Sequence, residues 1–154
     1  MMDITTAGSY VDISNGIGKI TRFSDDTDPW QVEELECTGY GVTINGELLV
    51  WAKPCAYVVT INVLSGTDEA KKLANLCKKS RVTPTNGGAG KFDASSARVS
   101  SLKICLCASD LTKSATYSFT NGRLLKGSTA PGANNDGRTT AISYTFVFED
   151  FSAS

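Results

Sequence analysis

The stretch from Ala56 to Lys79 constrains this chain most, because a β pattern runs straight into a helical one within it. Tyr57, Val59, Ile61 and Val63 fall on one face of a pleated strand while Thr60 and Asn62 point the other way, the alternation of a half-buried strand. Ser65-Gly66-Thr67 breaks the alternation, and Thr67 stands where a helix N-cap belongs. Asp68 and Glu69 then place two negative charges in the first turn, beside unpaired backbone N–H groups and the positive end of the helix dipole. Ala70, Leu73, Ala74 and Cys77 recur at i, i+3, i+4 and i+7, with Lys71, Lys72, Lys78 and Lys79 on the remaining surface. The pattern predicts one short helix, at about residues 67–79, packed on a large β assembly.

Around this unit the chain reads as strands and turns. Residues 1–9 are expected to form a flexible N-terminal arm. Tyr10–Ile13 and Lys19–Phe23 are short strand candidates, and Trp30–Thr38 is an edge-strand candidate. Asn45-Gly46, between Gly41–Ile44 and Glu47–Trp51, signals a hairpin with a type I′ turn. Val99–Cys107 alternates, with Leu102, Ile104 and Leu106 on one face and Ser101, Lys103, Cys105 and Cys107 on the other. Ala115–Phe119 and Arg123–Lys126 read as a second hairpin turning near Thr120-Asn121-Gly122, and Ala141–Phe148 closes the series. Two long loops rich in Gly, Ala, Asn and Ser, 83–96 and 127–139, interrupt it; loops of that length are usually functional or mobile. The sum is a single mainly β domain over residues 1–154, an antiparallel sandwich or barrel carrying one helix.

Composition removes several functions. The chain of 154 residues contains no histidine, and so lacks the commonest general base and the commonest metal ligand. Asp25-Asp26-x-Asp28 lacks the later positions of a calcium loop, and Glu33-Glu34-x-Glu36 reads as a solvated edge. Asn86–Lys91 imitates a phosphate loop without its Gly-Lys-Ser/Thr ending. A net charge of −1 gives no sign of a nucleic-acid binder. No apolar run reaches the roughly 18 residues of a membrane span, and Met1–Thr6 is no secretion signal, so an intracellular product is expected. The five cysteines are then expected to be mostly free thiols. Cys105 and Cys107, about 6.6 Å apart on one strand face, are poorly placed to bond each other, so an oxidised one would take its partner from another strand or subunit.

An Asn-Gly hairpin, a strand ending in Ser65-Gly66-Thr67-Asp68-Glu69, a lysine-studded helix, a long loop, Phe119-Thr120-Asn121-Gly122-Arg123 and a closing Tyr144-Thr145-Phe146-Val147-Phe148-Glu149 follow one another in that order. From about Tyr10 to Phe151 this resembles the tail-tube fold of contractile phage tails. It is similar to the tail tube subunit or to a tube-type ring protein that joins tube to baseplate in myophages. The resemblance implies a non-enzymatic virion protein forming a homohexameric ring, assembled in the host cytoplasm. Its implied partners are copies of itself, other tail proteins (tube, sheath, baseplate hub, tape measure) and phage DNA passing through the lumen without sequence-specific binding, with no cofactor and no membrane. A closed ring also satisfies sheet edges that would otherwise invite association.

Candidate subunit-contact residues are Asn86, Gly87, Gly88, Lys91 and Phe92 in the first long loop and Asn134, Asn135 and Arg138 in the second, with Cys105 and Cys107 as possible inter-subunit thiols. The polar positions Thr60, Asn62, Ser101, Lys103, Ser143 and Thr145 are candidates for a lumen face or a plain solvated one. Two other readings remain open. A stand-alone β-sandwich module binding carbohydrate or peptide would need an exposed aromatic patch, for which Trp30, Trp51 and Tyr57 are the candidates. A thiol enzyme or redox sensor using Cys105 and Cys107 would need a lowered thiol pKa, with Lys103 or a helix N-terminus to lower it.

Overall fold

A computed structural model describes residues 4–25, 27–108 and 113–154. Among these residues nine strands and two helices follow in the order β1 (Ile4–Ile13), β2 (Gly18–Ile20), β3 (Trp30–Val32), β4 (Thr38–Val42), β5 (Leu48–Ala52), β6 (Tyr57–Val63), α1 (Asp68–Lys79), α2 (Ala94–Ala97), β7 (Arg98–Ala108), β8 (Lys113–Gly127) and β9 (Ile142–Ala153). Seven strands make one antiparallel sheet in the order β2-β1-β7-β8-β9-β6-β3, while β4 and β5 pair only with each other. The fold is mainly β with one substantial helix, as the sequence predicts. The four-residue α2 begins inside the segment the sequence predicts as a long loop; Asp93 caps it by accepting from the N–H groups of Ser95 and Ser96.

The strand at 57–63 is where the alternation puts it. Val59, Ile61 and Val63 are fully buried, and they pair in register with Phe146, Tyr144 and Ile142 of β9. Thr67 caps α1, its hydroxyl accepting from the Ala70 N–H at 3.2 Å and donating to the Leu64 carbonyl at 3.1 Å. Glu69 does more than favour the helix dipole, because its carboxylate accepts from the backbone N–H groups of Thr21 and Arg22 and pins the segment after β2. The apolar stripe is rotated from the expected one. Ala70, Leu73 and Leu76 are buried, whereas Ala74 and Cys77 are half-buried.

The expected second hairpin does not exist. Residues 115–126 lie within the single strand β8, which pairs with β7 on one side and β9 on the other. Asn121 takes a positive φ of 57°, which in this position kinks a strand and does not reverse it. At the same level the buried side of the sheet changes over: Val99 and Leu102, Phe119 and Leu124, and Phe148 and Phe151 are each an odd number of residues apart yet all turn inward. An irregularity crossing three neighbouring strands curls the sheet round its core. Trp30 and Val32 of β3 thereby share an apolar cleft of about 300 Å³ with Ile104, Tyr117 and Phe151, although β3 and β7 stand four strands apart in the sheet.

The segment expected to be a loose arm enters β1 from Ile4, with Ile4 and Thr5 opposite Ala108 and Cys107; residues 1–3 lie outside the described residues. A register shift between Thr5 and Tyr10 carries Gly8 and Ser9 onto Cys107, whose N–H donates to Ser9 Oγ at 3.1 Å and whose thiol donates to the Gly8 carbonyl at 3.1 Å.

Candidate assembly surface

The hairpin β4–β5 stands apart from the curled sheet. Its turn sits where Asn45-Gly46 predicts, but it is not type I′. Thr43 and Glu47 close a loop of three residues, Gly46 N–H donates to the Thr43 carbonyl at 2.9 Å, and only Gly46 has a positive φ, 84°. That is a type I turn finished by a left-handed glycine. On one face the Trp51 indole lies over Gly39, so close that a Cβ there would come within 2.3 Å of Nε1. On the other face the cross-strand pairs are Tyr40 with Val50 and Val42 with Leu48, exposed by 73, 62, 62 and 62% respectively. Ile44 at the tip is fully exposed and Leu49 and Trp51 are half exposed.

A two-stranded ribbon with apolar residues open on both sides has no core of its own to join. The sequence signals the hairpin but not that its apolar faces stay uncovered. Leu48-Leu49-Val50-Trp51 is a continuous apolar run facing Gly39 and Gly41, and such a run gives no alternation to name a solvent face. At its base Cys37 and Lys53 pair through the Lys53 N–H and the Cys37 carbonyl at 3.0 Å, and Lys53 Nζ meets Glu36 at 2.9 Å.

All eight loop residues proposed from the sequence are exposed, and each loop carries its own small ladder. Thr83 and Lys91 exchange two backbone hydrogen bonds of 2.7 Å. Phe92 beside them lies under the Arg123 guanidinium at 4.2 Å. In the second loop Asn134 N–H donates to the Arg138 carbonyl at 2.7 Å, and Arg138 Nη2 reaches Asp25 Oδ1 at 2.7 Å. The hydrogen bond from Arg138 holds the Asp25 carboxyl below its usual range, and hydrogen bonds from Ser95 and Ser96 do the same for Asp93. Asp26, in the acidic run with Asp25, lies outside the described residues.

The other expected constellations come apart. Cys105 and Cys107 are 3 and 4% exposed, so in a single subunit neither sulfur is open to a second one; the exposed thiols are Cys37 and Cys55. Trp30, Trp51 and Tyr57 do not form a patch. Trp30 packs edge-on to Phe23 at 5.5 Å, Tyr57 packs with Phe119 and Phe151, and only Trp51 belongs to the arm. The polar ladder on β6 and β9 is engaged internally, with Thr60 and Thr145 hydroxyls 3.2 Å apart and Asn62 Nδ2 donating to the Asp28 carbonyl at 2.7 Å. Ser143 donates to Asn62 at 2.5 Å, whereas Lys103 is exposed. Among the described residues no three His, Cys, Asp or Glu side chains come together as a metal site, and no helix is long and apolar enough to cross a membrane.

A family model described as tail fiber protein gp32 matches residues 3–152. The chain belongs to that family. No curated relative of this gp32-family chain matches it by sequence. Among the solved structures that share its fold are two with TM-scores above 0.5. The tube-terminating cap of the anti-feeding prophage is 11% identical, with 98% of this chain and 90% of that one covered and a TM-score of 0.57. The sheath/tube terminator of the PVC extracellular contractile injection system, in its extended state, is 13% identical over 95% of this chain and 92% of that one, with a TM-score of 0.56. At such identity the likeness concerns fold, and the fold is the tail-tube type that the motif order resembles.

Proposed function

We propose that this gp32-family protein is a non-enzymatic structural subunit of a contractile tail that closes with copies of itself into a hexameric ring. The observation that carries the reading is the arm β4–β5, ordered by its own hydrogen bonds yet apolar on both faces, a surface made to be covered by another chain. The ring would sit at an end of the tube, at its junction with the baseplate, or in the tube itself, around the channel for DNA and tape measure. A place at a tube end is supported by the two structures sharing the fold, both described as terminators. The loops at 83–96 and 127–139, with Asn86, Gly87, Gly88, Lys91, Phe92, Asn134, Asn135 and Arg138, would supply further contacts to neighbouring subunits or rings, and sheath, tube and hub would be the flanking partners.

The test is electron microscopy and light scattering on the purified protein at rising concentration, beside Val42→Asp/Val50→Asp, which charges the arm without touching the core. Six-fold rings from the parent and none from the variant, with equal melting temperatures, are expected. A parent that stays monomeric at high concentration and is absent from tail particles would overturn the reading.

A further inference from the structure

The C-terminal end of α1, the chain beyond it and the first long loop enclose a cleft of about 510 Å³ whose charged lining is Lys78, Lys79, Arg81, Lys91 and Asp93. Among the described residues none of the four cations has an ion-pair partner, and the Asp93 carboxylate is already taken up in capping α2. The helix dipole accounts for Lys78 and Lys79, which sit in the last turn. It does not account for Arg81, beyond the helix, or for Lys91, brought to the cleft from a different segment by the Thr83–Lys91 ladder. A concave site with a surplus of positive charge on a chain of net charge −1 implies that the compensating negative charge lies elsewhere on the surface.

One exposed concentration of it is the run after β3. Glu33, Glu34 and Glu36 are exposed, and among the described residues only Glu36 of the three has an ion-pair partner, Lys53 at the base of the arm. This run leaves the last strand of the sheet order, whereas the cleft adjoins α2, which leads into β7 four strands away. No salt bridge among the described residues joins the two patches within one chain. We infer that the basic cleft receives the Glu33-Glu34-x-Glu36 run of a second copy. Two different patches of opposite sign make a head-to-tail contact, which generates a closed ring when the rotation between copies divides the circle. The inference rests on the ring reading above and names the contact that sets its direction and register; charge complementarity of this kind acts on partner choice and encounter rate more than on raw affinity.

The experiment is a charge swap between chains. Variant A is Arg81→Glu/Lys91→Glu, which makes the cleft acidic; variant B is Glu33→Lys/Glu34→Lys, which makes the run basic. All four positions are exposed, and circular dichroism confirms that each variant folds. Alone, A and B should each raise the concentration for half-assembly at least about tenfold, and the parent should weaken with salt as surface charges are screened beyond about 10 Å at 0.1 M. An equimolar mixture of A and B should assemble again, because the run of A then meets the cleft of B and the run of B the cleft of A, an alternation that an even-numbered ring accommodates. Parent-like assembly by A and B separately, or failure of the mixture as well as of each variant, overturns the inference and leaves the ring reading standing if the parent still forms rings. A parent that never assembles removes both. A monomeric parent that binds a duplex DNA probe, with binding lost in A alone, would identify a nucleic acid as the occupant and likewise overturn it.

Discussion

Gly122→Ala isolates the point at which β8 runs straight through an apparent turn. A Cβ at residue 122 would stand 2.1 Å from the Val147 carbonyl oxygen and 2.4 and 2.9 Å from Cδ1 and Cε1 of Phe148. Neither obstacle can step aside cheaply. Val147 is held opposite Arg123 in the β8–β9 ladder, and the Phe148 ring is 1% exposed and packed against Phe119 and Phe146 at 5.8 and 6.1 Å. Overpacking a well-filled core costs about 1–3 kcal/mol, and a backbone obstacle places this case at the upper end. With a urea dependence of roughly 1.5 kcal/mol/M, a loss of about 3 kcal/mol lowers the midpoint by about 2 M. Gly137→Ala is the comparison, since its φ of 89° strains any side chain but its Cβ meets nothing within 4 Å; about 1–2 kcal/mol is expected there. Urea titrations followed by circular dichroism measure both. If Gly122→Ala shifts the midpoint by less than about 0.3 M at unchanged slope, residue 122 is not wedged between β7 and β9 and the continuous strand is refuted.

Two further outcomes follow from the core. Leu73→Ala removes a fully buried side chain between α1 and the sheet and should cost about 2–5 kcal/mol, whereas Lys72→Asp on the exposed face should stay within about 0.5 kcal/mol; equal melting temperatures would show that the helix does not pack through Leu73. Burial raises the Tyr144 hydroxyl from 10.0 to about 12, and it donates to the Ser128 carbonyl at 2.9 Å. A raised pKa means that its contribution is complete below the unfolded value of 10.0 and disappears as the pH climbs to about 12. Tyr144→Phe should therefore cost about 1 kcal/mol near neutral pH, with the gap to the parent closing in alkaline unfolding curves; a gap constant up to pH 12 would count against the buried hydroxyl.

What the sequence reveals and what it hides divide by range. The strand at 57–63 and the capped helix after it are legible because pattern, N-cap and first-turn charges are all local and agree. The two Asn-Gly signals are locally alike, yet one lies in the turn between β4 and β5 and the other continues a strand through Gly122. The difference is β9, far along the chain, which pairs with β8 on both sides of Asn121. Cys105 and Cys107 alternate as written, but the strand face they share is covered by a register shift in β1 that no periodicity announces. The loop residues were recognisable as exposed from composition alone. The arm and the basic cleft were not, since one needs to know that an apolar run stays uncovered and the other that Lys91 returns to the end of α1.

The magnitudes suggest why arm and cleft belong together in the proposed assembly. Complete burial of a large apolar side chain is worth about 1.5–3 kcal/mol, and Tyr40, Val42, Leu48 and Val50 keep close to two-thirds of their surface exposed, so covering them would return roughly 4–8 kcal/mol. Association costs an estimated 4–15 kcal/mol before any contact is made. One arm therefore stands near break-even, and its apolar faces, which discriminate poorly among apolar partners, would also adhere to the wrong surface. Because the arm is already hydrogen-bonded in the single chain, docking need not order its backbone, which keeps the cost at the low end. Closing a ring gives every subunit two interfaces where an open dimer gives one between two subunits, so the balance turns favourable at closure. The proposed charged contact would then decide orientation: a cleft with four cations would reject the like-charged face of a wrongly turned neighbour and accept the acidic run at the arm's base.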